Sequence, residues 1–197
     1  MSYINKILDV ARKNNGIVTS RQITDAGINR QYLRILVERG LLERSARGVY
    51  IIPTILDDEM FNLQNRYRRG IFSHGTALFL LGLTDRTPIK YSMTFPIGYN
   101  TSNLKEENVE YYRVKDGLYE LGITTTKTPN GNEVRVYNAE RTLCDTLKGR
   151  SHTDIQIISE AFKRYVKLLN RDIPLISEYA KLMRVEKKLR AYLEVLL

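Results

Sequence analysis

Apolar residues recur three and four apart at Ile4, Ile7, Leu8 and Ala11, the spacing of one helix face. They predict a first helix from Tyr3 to Lys13, ended by Asn14, Asn15 and Gly16. Val18 leads in extended form to Thr19 and Ser20, whose hydroxyls suit the cap of a second helix from Arg21 to Ala26. Gly27 permits a turn with positive φ, and Asn29 is placed to cap a third helix only two residues later. That helix, Arg30 to Arg39, stops at Gly40 and carries Leu33, Leu36 and Val37 as its expected buried stripe. Two short apolar segments, Leu41 to Arg44 and Val49 to Ile52, flank Ser45 to Gly48 and read as a hairpin. The order predicts a winged helix-turn-helix over residues 1–53, the hairpin being the wing.

The pattern then changes. Residues 54–70 carry acids at the start and Arg66, Arg68 and Arg69 at the end, a polarity that suits a helix dipole and predicts a connecting helix. Beyond it, residues 71–197 are expected to form a mixed α/β domain. A short strand at Ile71, a Ser73 cap and a buried helix stopped at Gly82 come first. Extended segments follow near Lys90 to Pro96, Val109 to Val114 and Ile123 to Lys127. The last is joined by the Asn130-Gly131 turn to a strand from Glu133 to Tyr137. Asn138 caps the next helix, and two terminal helices are expected at about Thr153 to Leu169 and Leu175 to Leu197, with a break near Arg184. The whole reads as an α+β chain with a small sheet and terminal helices.

Composition narrows the class of partner. The 197 residues are 43% hydrophobic and 27% charged, which places the chain among ordinary globular proteins rather than disordered ones. The net charge of +9 favours a polyanionic partner, and its distribution is uneven. Residues 1–52, 53–140 and 141–197 hold 9, 10 and 12 basic against 4, 11 and 7 acidic side chains, nets of +5, −1 and +5. The single cysteine, Cys144, leaves no internal disulfide framework and points to a reducing, cytoplasmic setting, where we expect the protein to reside. The first residues lack a basic stretch followed by an apolar core, so no signal peptide is expected. No apolar run approaches the length of a membrane span, so no membrane partner is expected either.

Arginine can pair with guanine and glutamine with adenine in a major groove. The candidate base-reading residues on the third helix are therefore Arg30, Gln31 and Arg34. Thr19, Ser20, Arg21, Arg44 and Arg47 are candidates for positioning on phosphates, and Asn29 and Tyr32 complete the surface, Tyr32 being equally suited to packing. A second basic surface, Lys163, Arg164, Lys167, Lys181, Arg184, Lys187 and Lys188, has three open readings: a DNA contact, a protein contact or a solvated helix face.

Two further groups bear on catalysis. Ser73 and His74 are adjacent, but adjacency does not create a base-activated nucleophile, and no third orienting residue is evident. Glu140, Arg141 and Asp145 are read as an ion-pair group fixing a helix against the sheet, with a functional pocket as the alternative. Cys144 reads as core. With no phosphate-binding glycine loop and no metal-ligand spacing, no catalytic residue, metal or cofactor is expected.

The segment GIVTSRQITDAGINRQYLRILVERGLLERSARGVY over residues 16–50 resembles the N-terminal winged helix of AbiEi-type antitoxins, and residues 1–52 as a whole look like that domain. SHGTALFLLGLTD over 73–85 and VYNAERTLCD over 136–145 are similar to two recurrent motifs of the AbiEi antitoxin domain. The resemblance implies an antitoxin of a type IV toxin–antitoxin, abortive-infection (phage-defence) system that represses its own operon. It implies double-stranded operator DNA as a partner, at inverted repeats. It also implies that residues 71–197 counteract an AbiEii-like nucleotidyltransferase toxin without an obligatory stable complex. The competing readings are a C-terminal enzyme that modifies the toxin or its substrate, a generic winged-helix transcription factor, and a helix-turn-helix that binds protein.

Overall fold

The computed structural model describes residues 2–196, so the expected end of the last helix at Leu197 lies outside them. The chain divides into two compact units, Met1–Arg68 with Lys127–Val134, and Arg69–Thr126 with Arg135–Leu197.

In the first unit α1 (Tyr3–Lys13) follows Ser2, whose side chain accepts from the Asn5 amide. Strand β1 (Ile17–Thr19) runs straight into α2 (Ser20–Asp25). Thr19 closes a capping box there: its hydroxyl accepts from the Gln22 amide while the Gln22 side chain returns to the Thr19 amide at 2.8 Å. Gly27 turns with φ +69, a conformation disfavoured by a side chain, and α3 (Gln31–Glu38) begins four residues on. The N-cap position of α3 is Arg30, not the expected Asn29, and it makes no side-chain cap; the Asn29 carboxamide oxygen instead accepts from the Gln31 amide at 2.9 Å within the turn that leads into the helix. Ile7, Ala11, Val18, Ile23, Leu33, Leu36 and Leu42 close a small core.

Two further expectations are corrected in this unit. Val37 is 36% exposed rather than part of the stripe, because the turn that ends α3 sends Leu42 into the core beside Leu33 and Leu36. The hairpin therefore begins later than Leu41, with β2 (Glu43–Ala46) and β3 (Val49–Ile51). β3 lies between β1 and β2, antiparallel to both, with a bulge between Arg44 and Ala46. A helix does lie within 54–70, α4 (Glu59–Arg66), capped by Asp58. Asp58 is buried and also accepts from Thr128 at 2.5 Å and from Asn132 at 2.7 Å, while Asn15 donates to the Gly131 carbonyl at 2.9 Å. The hairpin tip around Asn130 and Gly131 is thus held by polar side chains of its own unit.

The second unit is built on a five-stranded sheet. β4 (Ile71–Phe72), β5 (Tyr91–Pro96), β6 (Val109–Val114), β7 (Ile123–Lys127) and β8 (Glu133–Tyr137) take the order β6-β5-β4-β8-β7. β4 pairs antiparallel with β5 and parallel with β8, in the register Phe72 to Val136. Each of these two parallel strands leads directly into a helix, β4 into α5 (His74–Leu80) and β8 into α7 (Ala139–Thr146), so the two helices leave the same end of the sheet's central strands and pack together. Between them in sequence comes the single turn α6 (Asp116–Tyr119). α8 (Ile155–Tyr165), α9 (Ile173–Met183) and α10 (Glu186–Leu196) cover them, sharing a core of Leu78, Leu143, Cys144, Phe162, Ile176 and Leu189 among others. The expected break near Arg184 is present: Arg184 ends α9 in the left-handed conformation.

Arg141 is fully buried at the start of α7. Its Nε donates to Asp145 at 2.9 Å, one Nη donates to the Leu118 and Leu121 carbonyls, and the guanidinium lies 4.4 Å from the Tyr137 ring centre. Gly122 approaches so closely that a Cβ would sit 2.8 Å from that of Arg141. Glu140 is not Arg141's partner; it accepts from the Tyr165 hydroxyl at 2.9 Å and ties α7 to α8. Arg141→Ala should therefore destabilise the fold by about 3–5 kcal/mol, because it strands the Asp145 carboxylate. A denaturant midpoint equal to wild type would contradict that role.

Candidate functional site

The N-terminal surface is assembled by α2, α3 and the β2–β3 hairpin. Gln31 and Arg34 project from the exposed side of α3; Arg34 keeps 84% side-chain exposure although its Nε reaches Glu38 at 2.8 Å. Arg30 donates to the Thr24 hydroxyl at 2.7 Å, bracing α3 against α2. Arg21 is exposed and loosely paired with Asp25 at 3.3 Å, while Arg44 and Arg47 are exposed on the hairpin. Tyr32 is half-buried, packs against the small core and lies tilted against Tyr3, ring centres 5.2 Å apart and planes at 42°. Thr19 is buried with its hydroxyl committed to the capping box, and Ser20 is half-buried beneath Gly48. Asn29 spends its side-chain oxygen on the Gln31 amide in the turn before α3. The residue types singled out for contact with bases and phosphates thus divide into exposed side chains, namely Arg21, Asn29, Arg30, Gln31, Arg34, Arg44 and Arg47, of which Asn29 and Arg30 also hold the turn, and the buried or half-buried Thr19, Ser20 and Tyr32.

The residues around Ser73 and Asp145 form a separate arrangement in the second unit. Ser73 starts α5 without capping it, contrary to the sequence expectation. Its hydroxyl is turned inward, accepting from Thr94 at 2.9 Å and lying 3.0 Å from Nδ1 of His74. His74 holds φ +48 and stacks on Tyr112, ring centres 3.6 Å apart. Burial lowers its pKa from 6.5 to about 4 against the opposing pull of Asp145 and Glu110, so the ring is neutral near pH 7.

His74, Glu110, Tyr112, Asp145, Lys148 and His152 border a cavity of about 470 Å³. Lys148 has its pKa lowered by burial, with Asp145 opposing and Arg141 reinforcing. Ser73 is fully buried and absent from the cavity wall. The adjacent hydroxyl and imidazole are therefore not presented together to a substrate. Cys144 is buried with its thiol pushed up to about 12 by desolvation, which makes it inert as a nucleophile. No group of three His, Cys, Asp or Glu side chains is arranged to hold a metal ion among the described residues, and none of their helices is long and apolar enough to cross a membrane.

The second basic set separates into two groups. Lys163 on α8 and Lys167 in the turn after it are exposed, while Arg164 is clamped by Asp85 and by Glu160 at 2.6 Å. Lys181, Arg184, Lys187 and Lys188 border one cleft at the α9–α10 junction, together with Lys148. Neither Lys148 nor the cavity residues Glu110, Tyr112 and His152 were singled out by sequence reasoning. They come from segments more than thirty positions apart, joined only by the sheet register and the packing of α5 on α7.

The chain is a mixed α+β protein whose first unit carries an exposed helix after a glycine turn and a basic hairpin. Residues 5–53 match the family model described as "Transcriptional regulator, AbiEi antitoxin", so the resemblance read from the sequence is shown over that segment. No curated protein matches the chain. The fold is similar to that in the crystal structure of the RV2827C protein from Mycobacterium tuberculosis, with a TM-score of 0.52 at 14% identity over 98% of this chain and 80% of that one.

The depressed pKa of His74 carries a stability signature. Between pH 6.5 and about 4 the unfolded chain takes up a proton that the folded chain refuses, so folded stability is full above that window and falls as pH drops through it. Compared with His74→Asn, whose side chain tolerates positive φ and does not titrate, wild type should lose about 2–3 kcal/mol more between pH 7 and about pH 4.5 in urea unfolding. Parallel pH profiles for the two proteins would overturn the assignment.

Proposed function

We propose that this protein is an antitoxin and transcriptional autorepressor of a type IV toxin–antitoxin operon. In this reading residues 1–53 act as a winged-helix DNA-binding domain, 54–70 as the connection and 71–197 as the antitoxin domain. The observation that carries it is the exposed α3, which offers Gln31 and Arg34 with no core role, within the segment matched by the regulator family. α3 enters the major groove of operator DNA at inverted repeats, with Arg30, Gln31 and Arg34 toward bases. Arg21, Arg44 and Arg47 meet phosphates, with Ser20 beside them, and Thr19, Asn29 and Tyr32 hold the turn and α3 in position. The antitoxin domain counteracts a nucleotidyltransferase-like AbiEii toxin without an obligatory stable complex, in the cytoplasm, as phage defence.

A second reading, a C-terminal enzyme acting on the toxin or its substrate, is favoured by the cavity that collects His74, Asp145 and Lys148. The inward Ser73 hydroxyl and the Arg141-bound Asp145 weigh against it. A mass change on toxin incubated with this protein and nucleotide would support that enzyme.

Promoter DNA upstream of the gene should be bound in preference to random duplex. Arg44→Ala or Arg47→Ala should weaken binding to both and lower the salt slope by about one unit each. Gln31→Ala should instead erode discrimination, by about 1–3 kcal/mol at one base pair. Gel shifts across a salt series read both quantities. Equal affinity of wild type for promoter and random duplex would sink the repressor reading.

A further inference from the structure

The α9–α10 junction concentrates positive charge in a concave site. Lys148, Lys181, Arg184, Lys187 and Lys188 border a cleft of about 590 Å³ whose wall carries one acid, Glu186. None of these five cations is ion-paired among the described residues, whereas Arg164 nearby in the same unit has two carboxylates. Lys188 alone is anchored, donating to the Leu147 carbonyl at 2.8 Å. Lys148 is recessed and half-buried; burial lowers its pKa, and an anion in the cleft would oppose that shift.

The backbone adds an independent observation. Arg184 sits at φ +59 and ψ 42, the left-handed helix cap that glycine fills without strain. This chain places its bulkiest cation there, exposed, on the rim of the cleft. A solvated helix face gives no reason for like charges to converge on a hollow, or for a strained residue to be one of them. The cleft is large enough for several linked phosphates, and its recessed lysine is better reached by a small ligand than by the rigid surface of a duplex.

We propose that this cleft binds a small free polyphosphate, inorganic or as the phosphate chain of a nucleotide, held by Lys148, Lys181, Arg184 and Lys187. The site is distinct from the N-terminal surface and shares only Lys148 with the cavity beside His74.

The test uses the full chain and isothermal titration with inorganic tripolyphosphate and, separately, ATP at physiological salt. Wild type should bind one equivalent saturably. Arg184→Gly removes the side chain while suiting the left-handed backbone, so it should fold with unchanged or higher thermal stability yet bind about tenfold more weakly. Lys187→Ala should also weaken binding, and Arg34→Ala on the N-terminal surface should leave it unchanged. Tighter binding of ATP than of tripolyphosphate would assign the ligand to nucleotides, and equal binding to the phosphate chain alone; either supports the site. Absence of saturable binding, or equal binding by wild type and Arg184→Gly, would overturn it. So would loss of binding in Arg34→Ala with retention in Arg184→Gly.

Discussion

The second unit depends on one buried cation. Arg141 is taken wholly out of water, which is tolerable only because Asp145, two backbone carbonyls and the Tyr137 ring surround it. Those partners come from α7, from α6 and the loop after it, and from the end of β8, so contacts to one guanidinium tie all three together, while its second Nη has no hydrogen-bond partner among the described residues. The close approach of Gly122 and the Asn138 cap belong to the same arrangement. Through Asp145, which also borders the cavity beside His74, the ion pair sets the electrostatics there: it holds one carboxylate oxygen and adds a cation that opposes protonation of His74 and Lys148.

The first unit solves a smaller problem with backbone chemistry. Three short helices and a three-stranded sheet bury few apolar side chains, and much of the turn is specified by polar side chains: Thr19 with Gln22, Asn29 with the Gln31 amide, and Arg30 with Thr24. Spending these residues on the turn frees the outward side chains of α3 from any structural duty. Asp58 repeats the logic at α4, where one carboxylate caps a helix and gathers Thr128 and Asn132 from far along the chain.

Local chemistry made much of this legible from sequence. Helix periodicity, the Thr19 and Asn138 caps, the Asn130-Gly131 turn and the break at Arg184 all follow from interactions within a few residues, and the structure has them at or near the expected places. What depended on long-range register was not legible. Ser73 lost its capping role because β5 brings Thr94 to its hydroxyl, and Val37 left the core because Leu42 folded back beneath α3. Glu140 found Tyr165 rather than its neighbour Arg141. Likewise nothing local marks Lys148, which acquires meaning only between the His74 cavity and the α9–α10 cleft.

The central claim is that DNA is met by the first unit through α2, α3 and the hairpin. Amide hydrogen exchange of the full chain with and without promoter duplex tests it most directly. The account predicts slowed exchange at residues 19–34 and 44–48 on adding the duplex, an effect that weakens with salt. Slowing confined to residues 147–188, with 19–34 unchanged, would contradict it.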